Sequence, residues 1–170
     1  RKSETRAIGL VISISKYPNL HAELPAAAVD GIRLVDFLVK SQMFDEVILL
    51  KDEDATEDNI NYFLEVYLKN RGLMFNNKAR LLIAYSGHGR PGDISGKSPF
   101  QPAFILSGAK SLENPSGMYK MSQLSESLQA LSGEYFHVLT LINACYGGSL
   151  FRPGERGENP DAYTQPGSYG

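Results

Sequence analysis

The chain has 170 residues, of which 42% are hydrophobic and 21% charged, a composition that predicts one globular domain with a substantial core. Its formal net charge of -2 provides no basic surface for nucleic acid. No apolar run approaches the roughly 18 residues of a membrane span, and residues 1–6 lack the hydrophobic stretch of a signal peptide. We therefore expect neither a nucleic acid nor a membrane as partner. The single cysteine cannot form an internal disulfide, which favours a cytoplasmic location.

Apolar periodicity predicts alternating strands and helices along the chain. A continuous apolar run at residues 7–12 is typical of a strand covered on both faces, and helical spacing predicts a helix over about residues 26–40. The later elements are a strand at 47–50, an amphipathic helix starting within 54–58 and ending at Gly72, a strand at 80–85, a short strand or hairpin arm at 103–106, a helix capped by Ser122 and ended by Gly133, and a strand at 136–142. This order predicts an α/β fold with a mainly parallel sheet, in which the strands at 80–85 and 136–142 lie close together.

The composition changes after the last predicted strand. Residues 152–170 contain no Val, Ile, Leu, Met or Phe, whereas Gly and Pro recur. Such a segment cannot contribute to a hydrophobic core. We therefore predict a domain over residues 1–151 and a flexible linker over residues 152–170.

Two short motifs directly follow predicted strands and carry the chemistry of the chain. Residues 86–89 read Ser-Gly-His-Gly, and residues 143–148 read Asn-Ala-Cys-Tyr-Gly-Gly, with the only cysteine at position 145. A thiol attacks a peptide carbonyl usefully only when a proton-transferring partner is held close to it, and strand ends hold such groups well. Cys145 and His88 are therefore the candidate catalytic pair, and the backbone N–H groups of Gly89 and Cys145 are candidate donors to an oxyanion.

Simpler interpretations of these residues remain open. A lone cysteine is often a buried structural residue, and His88 could be an ordinary loop histidine. One cysteine and three scattered histidines are too few for a zinc site, so no metal and no cofactor is expected. A phosphate cradle at residues 86–92 is a weaker possibility, because this stretch matches neither standard phosphate-binding pattern and no clear helix follows it.

Residues 85–89 and 142–148 resemble the histidine and cysteine motifs of the caspase, metacaspase and paracaspase superfamily, with Cys145 lying 57 residues after His88. The likeness extends over about residues 6–150. It implies a three-layer sandwich with a mainly parallel central sheet and helices on both faces. It also implies a cysteine endopeptidase, made as a zymogen, in which Cys145 attacks a peptide or protein substrate to form an acyl-enzyme and His88 transfers protons.

The resemblance also bears on specificity. Caspases that cleave after Asp use an arginine in the loop after the first strand, whereas residues 15–30 contain none. Cleavage after a basic P1 residue is therefore expected, with Asn143, Asp30 and Glu23 as candidate residues of the S1 pocket. Asn143 occupies the position at which metacaspases and paracaspases usually carry Asp. The acidic cluster of calcium-dependent metacaspases has no counterpart between residues 89 and 144, so calcium is not expected.

Only 25 residues follow Cys145, which is too few for the small-subunit region that such enzymes need. We expect that region as a partner from the same precursor, with Arg152 and Arg156 as candidate cleavage points. Two other functions stay open, a catalytically silent scaffold with the same fold and a doubly wound ligand-binding domain. The oligomeric state is open as well.

Overall fold

A computed structural model of the chain describes residues 5–92 and 100–144. In chain order its elements are β1 (Ala7–Ser13), α1 (Pro25–Lys40), β2 (Glu46–Lys51), a 3-10 turn (Asp52–Asp54), α2 (Glu57–Asn61), a π-helical segment (Tyr62–Tyr67), α3 (Leu68–Met74), β3 (Arg80–Ser86), β4 (Gly89–Arg90), β5 (Ala103–Ile105), β6 (Met118–Lys120), α4 (Met121–Ser132) and β7 (His137–Asn143). Within these described ranges, no helix is long and apolar enough to cross a membrane.

The main sheet has four strands in the order β2-β1-β3-β7, and every neighbouring pair is parallel. This confirms the prediction of a parallel sheet in which the strand before His88 adjoins the strand before Cys145. The carboxyl ends of three strands are level, because Ser13 is in register with Ser86 and Ser86 with Asn143. Parallel sheets bind ligands outside this edge, where the strand-to-helix loops converge.

The central strands β1 and β3 are covered on both faces, as their continuous apolar runs predict. On one face Val11, Leu82 and Ala84 pack with Leu38 of α1. The alternate residues of the same strands pack on the other face, against α2, the π-helical segment, α3 and α4: Ile8, Leu10, Ile12, Leu81, Ile83 and Tyr85 contact a core that includes Ile60, Leu64, Leu68, Leu124 and Leu131. The result is a three-layer sandwich with helices on both faces of the sheet.

Strand β7 differs, because α1 does not cover it. Leu139 and Leu141 are in register with Leu82 and Ala84, so they lie on the same face of the sheet that α1 covers at β1 and β3. Their exposed fractions are 52% and 41%. The sheet therefore presents an apolar surface on its β7 side.

The second helix does not end at Gly72. It begins after Thr56, whose Oγ1 accepts a hydrogen bond from the Asn59 N–H at 3.1 Å, and it continues to Met74. Gly72 stays helical because its missing side chain permits a close approach, since a Cβ there would lie 2.7 Å from the Glu134 carbonyl oxygen. The predicted end at Gly72 was wrong because tertiary packing outweighed the low helix propensity of glycine.

The start of α4 also differs from the prediction. Ser122 lies inside the helix and Lys120 occupies the N-cap, where its N–H donates to Gln123 Oε1 at 3.2 Å. The helix begins early because β6 ends at Lys120 and leads directly into it. Gly133 follows the last helical residue as predicted. The strands β4 and β6, of two and three residues, are too short for a periodic signal and were not predicted.

Candidate active site

The register of β3 and β7 brings the two motif-bearing segments together at the carboxyl edge of the sheet. Ser86 is in register with Asn143, and the Gly87 N–H donates to the Asn143 carbonyl oxygen at 3.2 Å. His88 follows directly. Cys145, together with the backbone N–H predicted to bind an oxyanion, lies outside the described residues, so its approach to His88 stays a prediction.

The half-buried imidazole of His88 has a defined partner on one side. Its Nε2 lies 2.8 Å from the carbonyl oxygen of Ala22, in the loop between β1 and α1. A carbonyl oxygen only accepts hydrogen bonds, so in the neutral ring Nε2 carries the proton and Nδ1 keeps its lone pair. The ring is therefore prepared to accept a proton at Nδ1.

Two buried phenols hold the backbone of His88. The Tyr17 hydroxyl accepts a hydrogen bond from the His88 N–H at 2.8 Å, and its ring lies against the imidazole with 4.7 Å between centroids. The Tyr85 hydroxyl donates to the His88 carbonyl at 2.9 Å, and Ile105 N–H donates to the same oxygen at 3.0 Å. Burial raises the pKa of both phenols, so they remain neutral hydrogen-bonding groups near pH 7.

This arrangement requires a glycine at position 87, because both tyrosine hydroxyl groups lie close to its Cα. A Cβ at this position would lie 2.7 Å from the Tyr85 hydroxyl oxygen and 2.8 Å from the Tyr17 hydroxyl oxygen. Both oxygens belong to rings that are fully packed in the core, so neither can move away cheaply. The glycine before the histidine thus makes room for the two groups that hold it.

The Gly89 N–H, the described member of the predicted oxyanion pair, points away from β5. Gly89 is in register with Phe104, and the bond from Ile105 N–H to the His88 carbonyl makes Gly89 and Phe104 a non-hydrogen-bonded pair of the antiparallel ladder. The ladder therefore leaves this N–H available to another acceptor. That is the state which an oxyanion donor requires.

Arg90 supports the segment that follows His88, and the sequence alone did not identify it as a site residue. It is 9% exposed, its Nη1 donates to the Leu112 carbonyl at 2.8 Å, and its guanidinium lies 4.5 Å from the centre of the Phe100 ring. Burial lowers the pKa of Arg90. The side chain ties the residues after His88 to two neighbouring loops.

Two of the three candidate S1 residues are adjacent. Asn143 Nδ2 donates to Asp30 Oδ2 at 3.3 Å, and both side chains are exposed on the α1 face of the sheet. Helix α1 reaches this position because Gly31 packs on the end of β1, where a Cβ would lie 2.6 Å from Ser13 Oγ. Glu23 is exposed, and within the described residues no hydrogen bond or ion pair joins it to Asp30 or Asn143.

The described ranges contain no group of three or more His, Cys, Asp or Glu side chains that could hold a metal ion. What they contain at the carboxyl edge is a proton-transfer group with one nitrogen occupied and, one residue later, a backbone N–H that points away from β5. Nearby is an exposed carboxylate paired with an amide.

This parallel α/β sandwich, with a histidine held after its third strand, has the architecture that the resemblance to the caspase superfamily implies, and the comparisons with known proteins agree. The family model for the caspase domain matches residues 6–167, so the chain belongs to the caspase-domain family. The crystal structure of caspase-1 from Spodoptera frugiperda matches with a TM-score of 0.56 and 16% sequence identity, over 84% of this chain and 48% of that one. The likeness shows a shared fold, and this chain spans about half the length of that caspase chain. No curated protein matches the sequence.

Proposed function

We propose that this chain is the large-subunit-like part of a cysteine endopeptidase in which Cys145 and His88 cleave peptide bonds. The observation that carries the proposal is the register of Ser86 with Asn143, reinforced by the bond from Gly87 N–H to the Asn143 carbonyl. His88 and Cys145 each follow this level pair by two residues. Covalent geometry keeps the Cα of Cys145 within about 7 Å of the Cα of Asn143.

The chemistry follows from the state of His88. Its Nδ1 takes the proton of the Cys145 thiol while Nε2–H stays bonded to the Ala22 carbonyl. The thiolate attacks the scissile carbonyl, and the resulting oxyanion accepts hydrogen bonds from the N–H groups of Gly89 and Cys145, each contributing about 3 kcal/mol to transition-state stabilisation. The leaving amine takes the proton from His88 as the C–N bond breaks. Water, deprotonated by His88, then hydrolyses the thioester and restores the thiol.

A basic P1 residue is the substrate that the S1 candidates favour. The carboxylate of Asp30 lies beside the amide of Asn143 and both are exposed, so a guanidinium or ammonium group could bind the carboxylate while the amide oxygen accepts a further hydrogen bond. Asp30 thereby supplies the charge that Asn143 lacks.

A further part of the same precursor is proposed to cover the β7 side of the sheet. The exposed Leu139 and Leu141 lie on that side, and the matched caspase chain is about twice as long as this one. A zymogen cut in the linker, with Arg152 and Arg156 as candidate sites, would yield two subunits that remain together. The reducing cytoplasm is a suitable compartment for an enzyme that depends on one free thiol.

Active-site labelling of the complete precursor after maturation tests the peptidase. Peptide acyloxymethyl ketones with Arg, Asp or Asn at P1 are applied, and the modified residue is located by mass spectrometry. We expect the Arg probe to react with Cys145 and the His88→Ala variant to lose this reaction. The matched control is His137→Ala, which changes an exposed histidine on β7 and should react like the wild type. Equal, slow labelling of wild type and His88→Ala would refute the peptidase and favour a silent scaffold.

The Asp30→Asn variant tests the S1 assignment with the same probes. Loss of a charge-assisted contact worth about 1.5–3 kcal/mol should slow the Arg probe about 10- to 100-fold and leave the Asn probe unaffected. Glu23→Gln tests the other acidic S1 candidate with the same probes, and we expect it to have no effect because no described bond joins Glu23 to Asp30 or Asn143. An equal response of the two variants would contradict the assignment of Asp30.

A further inference from the structure

Asp52, directly after β2, has an unusual environment for an acidic residue. It is 3% exposed and its φ is 46°, in the left-handed region. One carboxylate oxygen, Oδ1, accepts three hydrogen bonds: from Ser15 N–H at 2.7 Å, from Ser15 Oγ at 3.0 Å and from Lys16 N–H at 3.0 Å. All three donors belong to the start of the loop that connects β1 to α1.

The charge state of Asp52 is set by two opposing effects. Burial alone would raise the pKa of its carboxyl group, but the hydrogen bonds from Ser15 and Lys16, with the nearby Lys16 charge, outweigh burial and lower it. The carboxylate is therefore ionised near neutral pH. A residue in this backbone conformation with a buried charge persists only where its surroundings hold it firmly.

The loop between β1 and α1 also carries two groups that hold His88. Tyr17 receives the His88 N–H, and Ala22 receives the imidazole Nε2–H. Two backbone bonds involve the loop near Ser15, namely Leu24 N–H to the Ser15 carbonyl at 2.8 Å and Ile14 N–H to the Ser86 carbonyl at 2.9 Å. Asp52 thus fixes the point at which the loop leaves the sheet, and the loop fixes the histidine.

We infer that Asp52 is a positioning residue for His88, acting through Ser15 and Lys16 on the loop that presents Tyr17 and Ala22. The Asp52 carboxylate accepts its described hydrogen bonds from Ser15 and Lys16 and acts on the imidazole through their loop. Its role is to keep the Ala22 carbonyl within bonding distance of Nε2, so that the proton stays on Nε2 and Nδ1 stays available to the thiol. The inference deepens the proposed function and rests on it for its consequence in catalysis.

Asp52→Gly removes the carboxylate without imposing strain at the positive φ, since glycine adopts that conformation freely. With the Ser15 and Lys16 donors unpaired, we expect kcat toward a peptide substrate to fall about 10- to 30-fold with little change in KM. Asp52→Asn keeps an acceptor oxygen and tolerates a positive φ, so it should restore most of the rate. Glu53→Gly, at an exposed position in the same turn, is the matched control and should behave like the wild type.

A spectroscopic measurement on the complete protein reads the position of the proton directly. The chain has three histidines, so the imidazole ¹⁵N signals can be assigned with His21→Gln and His137→Gln variants. In the neutral ring at about pH 8, the wild type and Asp52→Asn should show His88 as the Nε2–H tautomer. Asp52→Gly should show a mixture of tautomers.

Retention of the Nε2–H tautomer and of the wild-type kcat in Asp52→Gly would overturn the inference. If Asp52→Gly does not fold, Ser15→Ala carries the test, because it removes only the hydroxyl bond and should lower kcat about 2- to 3-fold with a partial change of tautomer. A wild-type spectrum and rate in Ser15→Ala would then overturn it. The tautomer can be read without any peptidase activity, so failure of the positioning role and failure of the proposed function give different results.

Discussion

The two edges of the parallel sheet are stabilised by different chemistry. At the amino edge, Glu46 binds Arg71 at 2.6 Å and the Tyr67 hydroxyl at 2.5 Å, and Arg6 binds Asp45 at 2.8 Å. These charges are partly exposed and neutralise one another. At the carboxyl edge, two neutral phenols, a backbone carbonyl and one buried carboxylate hold a single histidine and its loop.

This difference indicates that substitutions at the amino edge should affect mainly stability, whereas substitutions at the carboxyl edge should affect mainly activity. Partly exposed ion pairs contribute modestly to folding and impose no geometry on the distant edge. The contacts at the carboxyl edge instead converge on His88. A small displacement of its imidazole would slow catalysis, because proton transfer needs a donor–acceptor distance near about 3 Å. Substitutions at the two edges should therefore have different readouts.

The largest effect is expected for Gly87→Ala. The added methyl group would lie within 2.8 Å of both phenol oxygens, so the backbone before His88 must move. We expect kcat/KM to fall at least about 100-fold, measured with a peptide substrate and by labelling of Cys145. Gly108→Ala is the control, because a Cβ there would have nothing within 4 Å. Wild-type activity in Gly87→Ala would show that His88 tolerates displacement.

A smaller effect is expected for Tyr17→Phe. The ring remains, but the acceptor of the His88 N–H is lost, and an unpaired buried donor costs about 1–3 kcal/mol. Part of that cost should appear as a fall in kcat of about 10-fold, measured by peptide hydrolysis. Tyr62→Phe, on an exposed tyrosine, should leave kcat unchanged. Equal rates for the two variants would remove Tyr17 from the positioning of the histidine.

At the amino edge, Glu46→Gln should change stability alone. It removes the ion pair with Arg71, both partners of which are about three-quarters buried, and should lower the free energy of unfolding by about 1 kcal/mol. Urea unfolding followed by circular dichroism measures this change. The value of kcat/KM should stay within twofold of the wild type. A large loss of activity would show that the two edges are coupled.

The pH dependence of Asp52 should be smaller still. Because its pKa is lower in the folded state than in the unfolded chain, ionised Asp52 stabilises the protein above about pH 4, and this contribution is lost as the pH falls through the folded-state pKa. The difference in unfolding free energy between wild type and Asp52→Asn should therefore shrink between pH 6 and pH 3. A difference that grows on acidification would mean that the pKa is raised.

The parallel sheet and its two motif-bearing strands followed from local pattern. Continuous apolar runs predicted β1 and β3 with both faces covered, and the position of each motif after a strand predicted that His88 and Asn143 reach one edge. The physical reason is that apolar periodicity reports burial directly, and parallel strands must end on a common side. Asp30 was anticipated only as one of two acidic residues, with Glu23, that could supply the charge Asn143 lacks, because charge alone does not reveal which loop or helix packs against the strand end.

Tertiary structure decided how the histidine is held. The partner of Nε2 is the carbonyl of Ala22, an atom that every residue possesses, so no side-chain pattern could indicate it. The loops after β1, β2 and β3 are far apart in the sequence, and only their packing joins Tyr17, Asp52 and His88 into one network. Tertiary structure also decided two helix boundaries. A close contact with Glu134 keeps Gly72 inside α3, and the preceding strand β6 makes Lys120 the N-cap of α4, although neither residue favours that position locally.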